Sequence, residues 1–158
     1  MDVPYQIPEN FLSLIFSQAQ KEYPTECCGV ILGPLDHPSV LSRLRPCRNA
    51  QDFYHEKDPS HFYRTSRTAY FIDPQELLEL HREARERQEA LRMIYHSHPD
   101  ADANFSEEDA RMALSEGEPV YPGTHYLVVS VIRRKILGYR EFTWEDRQKA
   151  FICLRKAQ

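Results

Sequence analysis

The sequence has no apolar run long enough to cross a bilayer. Its longest strand-like apolar stretch, Tyr126–Ile132, falls far short of the ~20 residues a spanning helix needs, so no membrane insertion is expected. The opening stretch MDVPYQIPEN has no basic residue before Lys21 and no apolar h-region, so no secretory leader is expected either. Positive charge is not in excess: 20 Lys and Arg face 24 Asp and Glu, a formal charge of −4. Nucleic-acid and membrane-surface binders usually carry a basic face, which argues against both kinds of partner. Cys27, Cys28, Cys47 and Cys153 show no Cys-x-x-Cys spacing, and adjacent cysteines do not readily bridge each other. Reduced thiols in a cytoplasmic protein are expected rather than a disulfide scaffold. Repeats, low-complexity tracts and Gly/Ser linkers are missing as well. With 158 residues, 41% hydrophobic and 28% charged, the chain is expected to be one domain, 1–158, around one ordinary core.

What is present alternates between helical and strand patterns. Leu12, Ile15, Phe16, Ala19 and Tyr23 form an amphipathic stripe over residues 9–23. Pro24 ends it, because the residue before a proline avoids the helical region. Residues 27–33 read as a buried strand, 40–47 as its partner after a turn, and 69–72 as a short strand; 49–68 has no clear period. Asp73-Pro74-Gln75-Glu76 opens a helix, with Asp as cap, Pro at the first position and Glu placed to close a capping box. A strand at 91–95 leads into His96-Ser97-His98-Pro99, and Ser106 starts a third helix. Residues 126–132 and 135–142 form a strand pair, and Thr143-Trp144-Glu145-Asp146 caps a terminal helix. The order α-β-β-β-α-β-α-β-β-α predicts an α/β fold, a mixed sheet with helices on both faces.

One constellation carries chemistry. His96 and His98 stand two apart at a strand end, so both rings leave on one face. A carboxylate returning from Asp109 on the next helix would complete three ligands of a tetrahedral zinc site, with the fourth position open to water. The bland alternative is that Ser106-x-x-Asp109 is a helix capping pair and the histidines are simply hydrogen-bonded. Cys27 raises a Cys-His hydrolase, although a buried free cysteine is usually a small core residue. His55, His61 and His81 read as surface residues and His125 as structural. Six aromatics between Phe53 and Phe71 either pack on the core or line a binding groove. The acidic run Asp100, Asp102, Glu107, Glu108, Asp109, Glu116 and Glu118 reads as a solvated face that disfavours phosphate-rich partners.

His96-x-His98-Pro99, then Ser106-x-x-Asp109, with Glu26 upstream in Glu26-Cys27-Cys28-Gly29, resembles the JAMM (MPN+) family of zinc metalloproteases. Asp73-Pro74 and Tyr121-Pro122-Gly123 also resemble its compact prokaryotic members. The resemblance spans roughly residues 8–142. It implies a single MPN (JAB1/MPN-like) domain with a curved mixed sheet, and Zn²⁺ held by His96, His98 and Asp109. It implies Glu26 as general base and Ser106 as donor to the tetrahedral intermediate's oxyanion. The implied reaction is peptidase or isopeptidase cleavage of the amide after the Gly-Gly tail of a ubiquitin-like or sulfur-carrier protein. A non-catalytic MPN-type interaction module is the alternative, although such modules usually lose a ligand and this chain keeps all three. A genome-maintenance role would call for a basic patch that the sequence lacks.

Overall fold

In the computed structural model, which describes residues 2–158, the chain runs α1 (Glu9–Glu22), β1 (Cys28–Pro34), β2 (Arg43–Cys47), α2 (Gln51–Lys57), α3 (Pro74–Glu86), β3 (Glu89–Pro99) and α4 (Glu107–Ala113). There follow β4 (Leu114–Ser115), β5 (Glu118–Pro119), β6 (His125–Ile132), β7 (Lys135–Glu145) and β8 (Ala150–Ala157). Six strands form one sheet in the order β2-β1-β3-β6-β7-β8, and β4 and β5 form a small separate ladder. β3 and β6 pair in parallel and the other neighbours antiparallel, so the sheet is mixed. A parallel pair needs a crossover, and α4 lies on it.

Alternation along the strands gives the sheet two buried faces. Ile31, Met93, Tyr95, Leu127 and Val129 meet Ile15 and Ala19 of α1 on one face. Val30, Leu32, Ile94, Tyr126 and Val128 meet Leu80 and Ala84 of α3 and Ala113 of α4 on the other. Helices on both faces, and the α/β class itself, are therefore as expected. Asp73 caps α3 by accepting from the Gln75 N–H at 2.8 Å. Glu76 does not close a capping box; it turns outward to the Arg45 guanidinium at 3.0 Å. The β6–β7 connection is a two-residue loop with both residues at positive φ, Arg133 at 49° and Arg134 at 69°, the backbone that matches strand twist in a tight hairpin.

The structure corrects two element assignments. The terminal helix is a strand: β7 runs on through Thr143 and Trp144, turns over Asp146–Lys149, and returns as β8. Thr143-Trp144-Glu145-Asp146 imitates a helix start, but Trp144 pairs across the ladder with Phe151 at a ring distance of 5.1 Å, and Phe151 also packs on Phe105 at 4.5 Å. Aromatic burial outweighs the local capping signal. Residues 69–72 join no ladder. The Asn49 side chain takes their place in pairing, donating to the Ala69 carbonyl and accepting from the Phe71 N–H. The aperiodic stretch also hides a short helix, α2.

Candidate metal centre

His96 and His98 lie at the C-terminal end of β3, and both rings project to the α4 side of the sheet, where they are buried. Glu26 reaches the same place from the segment before β1. The antiparallel pairing Cys28↔His96 continues through the Ser97 N–H donating to the Cys27 carbonyl at 3.1 Å, which brings Glu26 alongside His98. Ser97 Oγ accepts from the Cys27 N–H at 2.8 Å. The Glu26 main chain is pinned further by its N–H donating to the Ser66 carbonyl at 2.7 Å and by Asn49 Nδ2 donating to its carbonyl at 2.9 Å. Asp109 arrives from the first turn of α4.

Ser106 and Asp109 do form a capping box. Ser106 Oγ accepts from the Asp109 N–H at 3.0 Å, and Asp109 Oδ2 accepts from the Ser106 N–H at 2.9 Å. The capping and ligand readings are therefore compatible, because the cap is what fixes the carboxylate. Asp109 Oδ1 lies 3.1 Å from His96 Nε2, and Oδ2 lies 3.1 Å from His98 Nε2. The two Nε2 atoms are also 3.1 Å apart.

The tautomer of His98 follows from its other nitrogen. Nδ1 lies 2.8 Å from the Asp102 carbonyl, which only accepts, so Nδ1 carries the hydrogen and Nε2 of the neutral ring presents a lone pair to the centre. A lone pair facing a carboxylate and a second imidazole nitrogen is a place for a cation. Mutual spacings of 3.1 Å are close to the roughly 3.3 Å between tetrahedral donors about 2.0 Å from zinc. A Glu26 oxygen and one nitrogen from each histidine all lie within 4.8 Å of one another. The donor set therefore fits a small divalent ion such as zinc.

Electrostatics set the two carboxylates apart. Burial opposes ionisation of Asp109, but the two histidines outweigh it and hold its carboxyl well below the usual range. Burial pushes Glu26 up to about 8, with the charge of His98 offsetting part of the rise and Asp109 adding to it. One Glu26 oxygen is buried without a partner. Burial lowers His96 despite Asp109, whereas in His98 contact with Asp109 outweighs burial and raises it. The Cys27 thiol is pushed up to about 12 by burial, so it is a poor nucleophile and the Cys-His alternative loses its support.

The aromatic-rich segment supplies both packing and a neighbour for the site. Tyr70 stacks on the His96 ring at 4.5 Å and 24°, fixing its plane. Phe62 and Phe71 pack with Tyr54 at 5.2 and 5.0 Å, so much of the aromatic segment is a small core of its own, while Phe53 and Tyr63 stay exposed. His125 is structural, its Nδ1 lying 2.6 Å from the buried Glu141 carboxylate. His55 is half-buried rather than fully at the surface, with Nδ1 2.6 Å from the Phe62 carbonyl. In the acidic run, Glu108 is buried and paired with Arg111 at 2.6 Å; Asp100, Asp102 and Glu107 are exposed.

Residues 8–145 match the family model described as prokaryotic homologs of the JAB domain. A protein named CysO-cysteine peptidase, from Mycobacterium bovis and from two strains of Mycobacterium tuberculosis, is 30% identical over 139 residues, covering 85% of this chain and 80% of the relative. Among solved structures, protein DSY2949 from Desulfitobacterium hafniense superposes with a TM-score of 0.66 at 22% identity, over 92% of this chain and 86% of that one. A Salinibacter ruber protein gives 0.58 at 19% identity, over 95% and 88%. At those identities the two structures speak for the fold alone. The match across nearly the whole sheet, with the JAMM-type constellation folded onto one spot, makes this chain a member of the prokaryotic JAB-domain family.

Proposed function

We propose that the protein is a zinc-dependent peptidase that hydrolyses the amide after the C-terminal Gly-Gly tail of a sulfur-carrier or other ubiquitin-like protein. The observation that carries this reading is the triangle of His96 Nε2, His98 Nε2 and Asp109 at 3.1 Å spacings with the Glu26 carboxyl beside it. The relative named CysO-cysteine peptidase supports the substrate class. His96, His98 and Asp109 would hold the zinc. Bound there, zinc supplies Lewis acidity and makes water nucleophilic near neutral pH.

The remaining steps belong to the chain. Glu26 takes a proton from the attacking water and passes it to the leaving amine as the C–N bond breaks, so that one water is consumed per amide. Ser106 Oγ already accepts from the Asp109 N–H, which leaves its own hydroxyl hydrogen to donate to the oxyanion. We further propose that residues 1–158 work as one domain, since β8 continues the sheet begun within the matched region. Free cysteines favour a reducing, cytoplasmic setting. Among the described residues no helix is long and apolar enough to cross a membrane. A non-catalytic module remains the rival.

Elemental analysis of chelator-free protein tests the reading together with mass-resolved release from a Gly-Gly-tailed carrier. About one zinc per chain and chelator-sensitive release are expected. Zinc retained in full by a His96→Ala/His98→Ala variant would remove the site, and zinc without release from any tailed carrier would favour the module.

A further inference from the structure

A small cleft of about 160 Å³ opens beside the proposed zinc site, lined by Glu26, His98, Pro99, Ala101 and Ser106 on one side and by Arg64, Arg67 and Thr68 on the other. Its volume is below the roughly 300–1,000 Å³ of clefts that enclose drug-sized ligands, so it suits about one residue. Asp100, Asp102 and Glu107, adjacent in sequence to its lining, are exposed, and Arg111 is already taken by Glu108. Arg64 and Arg67 differ. Among the described residues neither guanidinium lies within salt-bridge distance of a carboxylate. Arg64 donates to the Thr68 carbonyl at 3.2 Å, with Glu26 and Glu108 near enough to feel its charge; Arg67 donates its backbone N–H to Thr65 Oγ1, and its charge reaches Asp100.

Two guanidinium groups held by no carboxylate in direct contact, in a cleft that also holds the proton donor to the leaving amine, are placed to take a carboxylate from a ligand. The leaving group must sit where Glu26 can protonate its nitrogen, hence in this cleft. We infer that Arg64 and Arg67 bind the free α-carboxylate of a single amino acid attached to the carrier tail, so that the enzyme favours release of one C-terminal residue over cleavage of a lysine isopeptide. This rests on the peptidase reading above. The chemistry is specific: a planar guanidinium matches a carboxylate through two parallel hydrogen bonds. A residue joined through a lysine isopeptide brings no free α-carboxylate to the same point, so the guanidinium pair gains nothing from it.

The test uses zinc-loaded protein and a tail peptide ending Gly-Gly-Ala, as the free acid and as its C-terminal carboxamide. Wild type should cleave the acid with kcat/KM about 10- to 100-fold above the amide, the range for charge-assisted hydrogen bonds. In Arg64→Ala/Arg67→Ala that advantage should fall to within about twofold, with zinc content and melting temperature held. Because Arg64 braces its own loop through Thr68, Arg67→Ala alone is the check against a folding defect and should lose part of the advantage. Equal cleavage of acid and amide by wild type would overturn the inference and leave the peptidase reading standing. So would an equal loss on both peptides in the double variant, which would assign the arginines to the carrier body. Calorimetry on zinc-loaded Glu26→Gln, which holds peptide uncleaved, decides the matter without turnover: tighter binding of the acid supports the arginine pair, and equal binding refutes it.

Discussion

At the scale of single residues, proximity and burial set apart groups that look alike in the sequence. Glu26 and Asp109 are both buried carboxylates. Asp109 is held ionised by two imidazoles, which suits the proposed ligand, while burial lifts Glu26 to about 8, which suits the proposed proton carrier. Glu26→Gln should therefore lower turnover by about 10²–10⁴-fold and leave zinc stoichiometry unchanged; loss of metal along with activity would exchange the two roles. The cysteines give a second contrast. Burial lifts Cys27 to about 12 and Cys47 to about 11, and Cys28 is raised as well, whereas Cys153 is exposed. Iodoacetamide at pH 8 should label Cys153 alone until denaturant is added, with intact mass counting the adducts. Since the folded values exceed those of an unfolded thiol, the stability tied to these thiols is whole below about pH 8.5 and declines toward pH 11–12.

At the scale of elements, legibility followed how local the determinant is. The cap of α3 by Asp73 and the spacing of His96 and His98 on one strand need only neighbouring residues, and both were readable. The end of the chain was not: Thr143 to Asp146 carries a valid helix-start pattern, and only the ring of Phe105, brought from the loop before α4, makes β8 the better solution. Residues 69–72 fail as a strand for a similar reason, since Asn49, about twenty positions upstream, occupies their hydrogen bonds. The residues proposed as metal ligands were legible through motif spacing and Tyr70 through the aromatic density of its segment, whereas Ser97 and Asn49 act through tertiary neighbours and left no pattern. Gly29 shows the geometric side. A Cβ there would run into the Tyr95 ring, which is fully buried and anchored by its hydroxyl donating to Gln18 Oε1 at 2.6 Å. Gly29→Ala should cost about 1–3 kcal/mol, the usual range for overpacking, read as a lower denaturant midpoint at unchanged slope. A midpoint like wild type would show that β1 and β3 can slide apart at little cost.

At the scale of the whole molecule, the site is a meeting point of elements the sheet already holds together. Glu26 precedes β1, the histidines end β3, and Asp109 opens α4; both sheet faces are packed by apolar side chains without any help from the metal. Metal removal should then loosen the protein without unfolding it. An ion that binds only the folded chain adds RT ln(1 + [Zn]/Kd), about 2.7 kcal/mol when free zinc is a hundredfold above Kd. For a chain of this size that corresponds to a rise in melting temperature of about 5–10 °C. Scanning calorimetry of chelator-treated protein should show one cooperative transition, moved up by that amount on adding zinc. Asp109→Asn keeps an oxygen to cap α4 but weakens the ligand set, so its metal-free melting temperature should stay within a few degrees of wild type while most of the zinc-induced rise disappears. A metal-free wild type with no cooperative transition would make the ion structural. An Asp109→Asn variant that still gained the full increment would move the third ligand to Glu26 and reverse the division of labour between the two carboxylates.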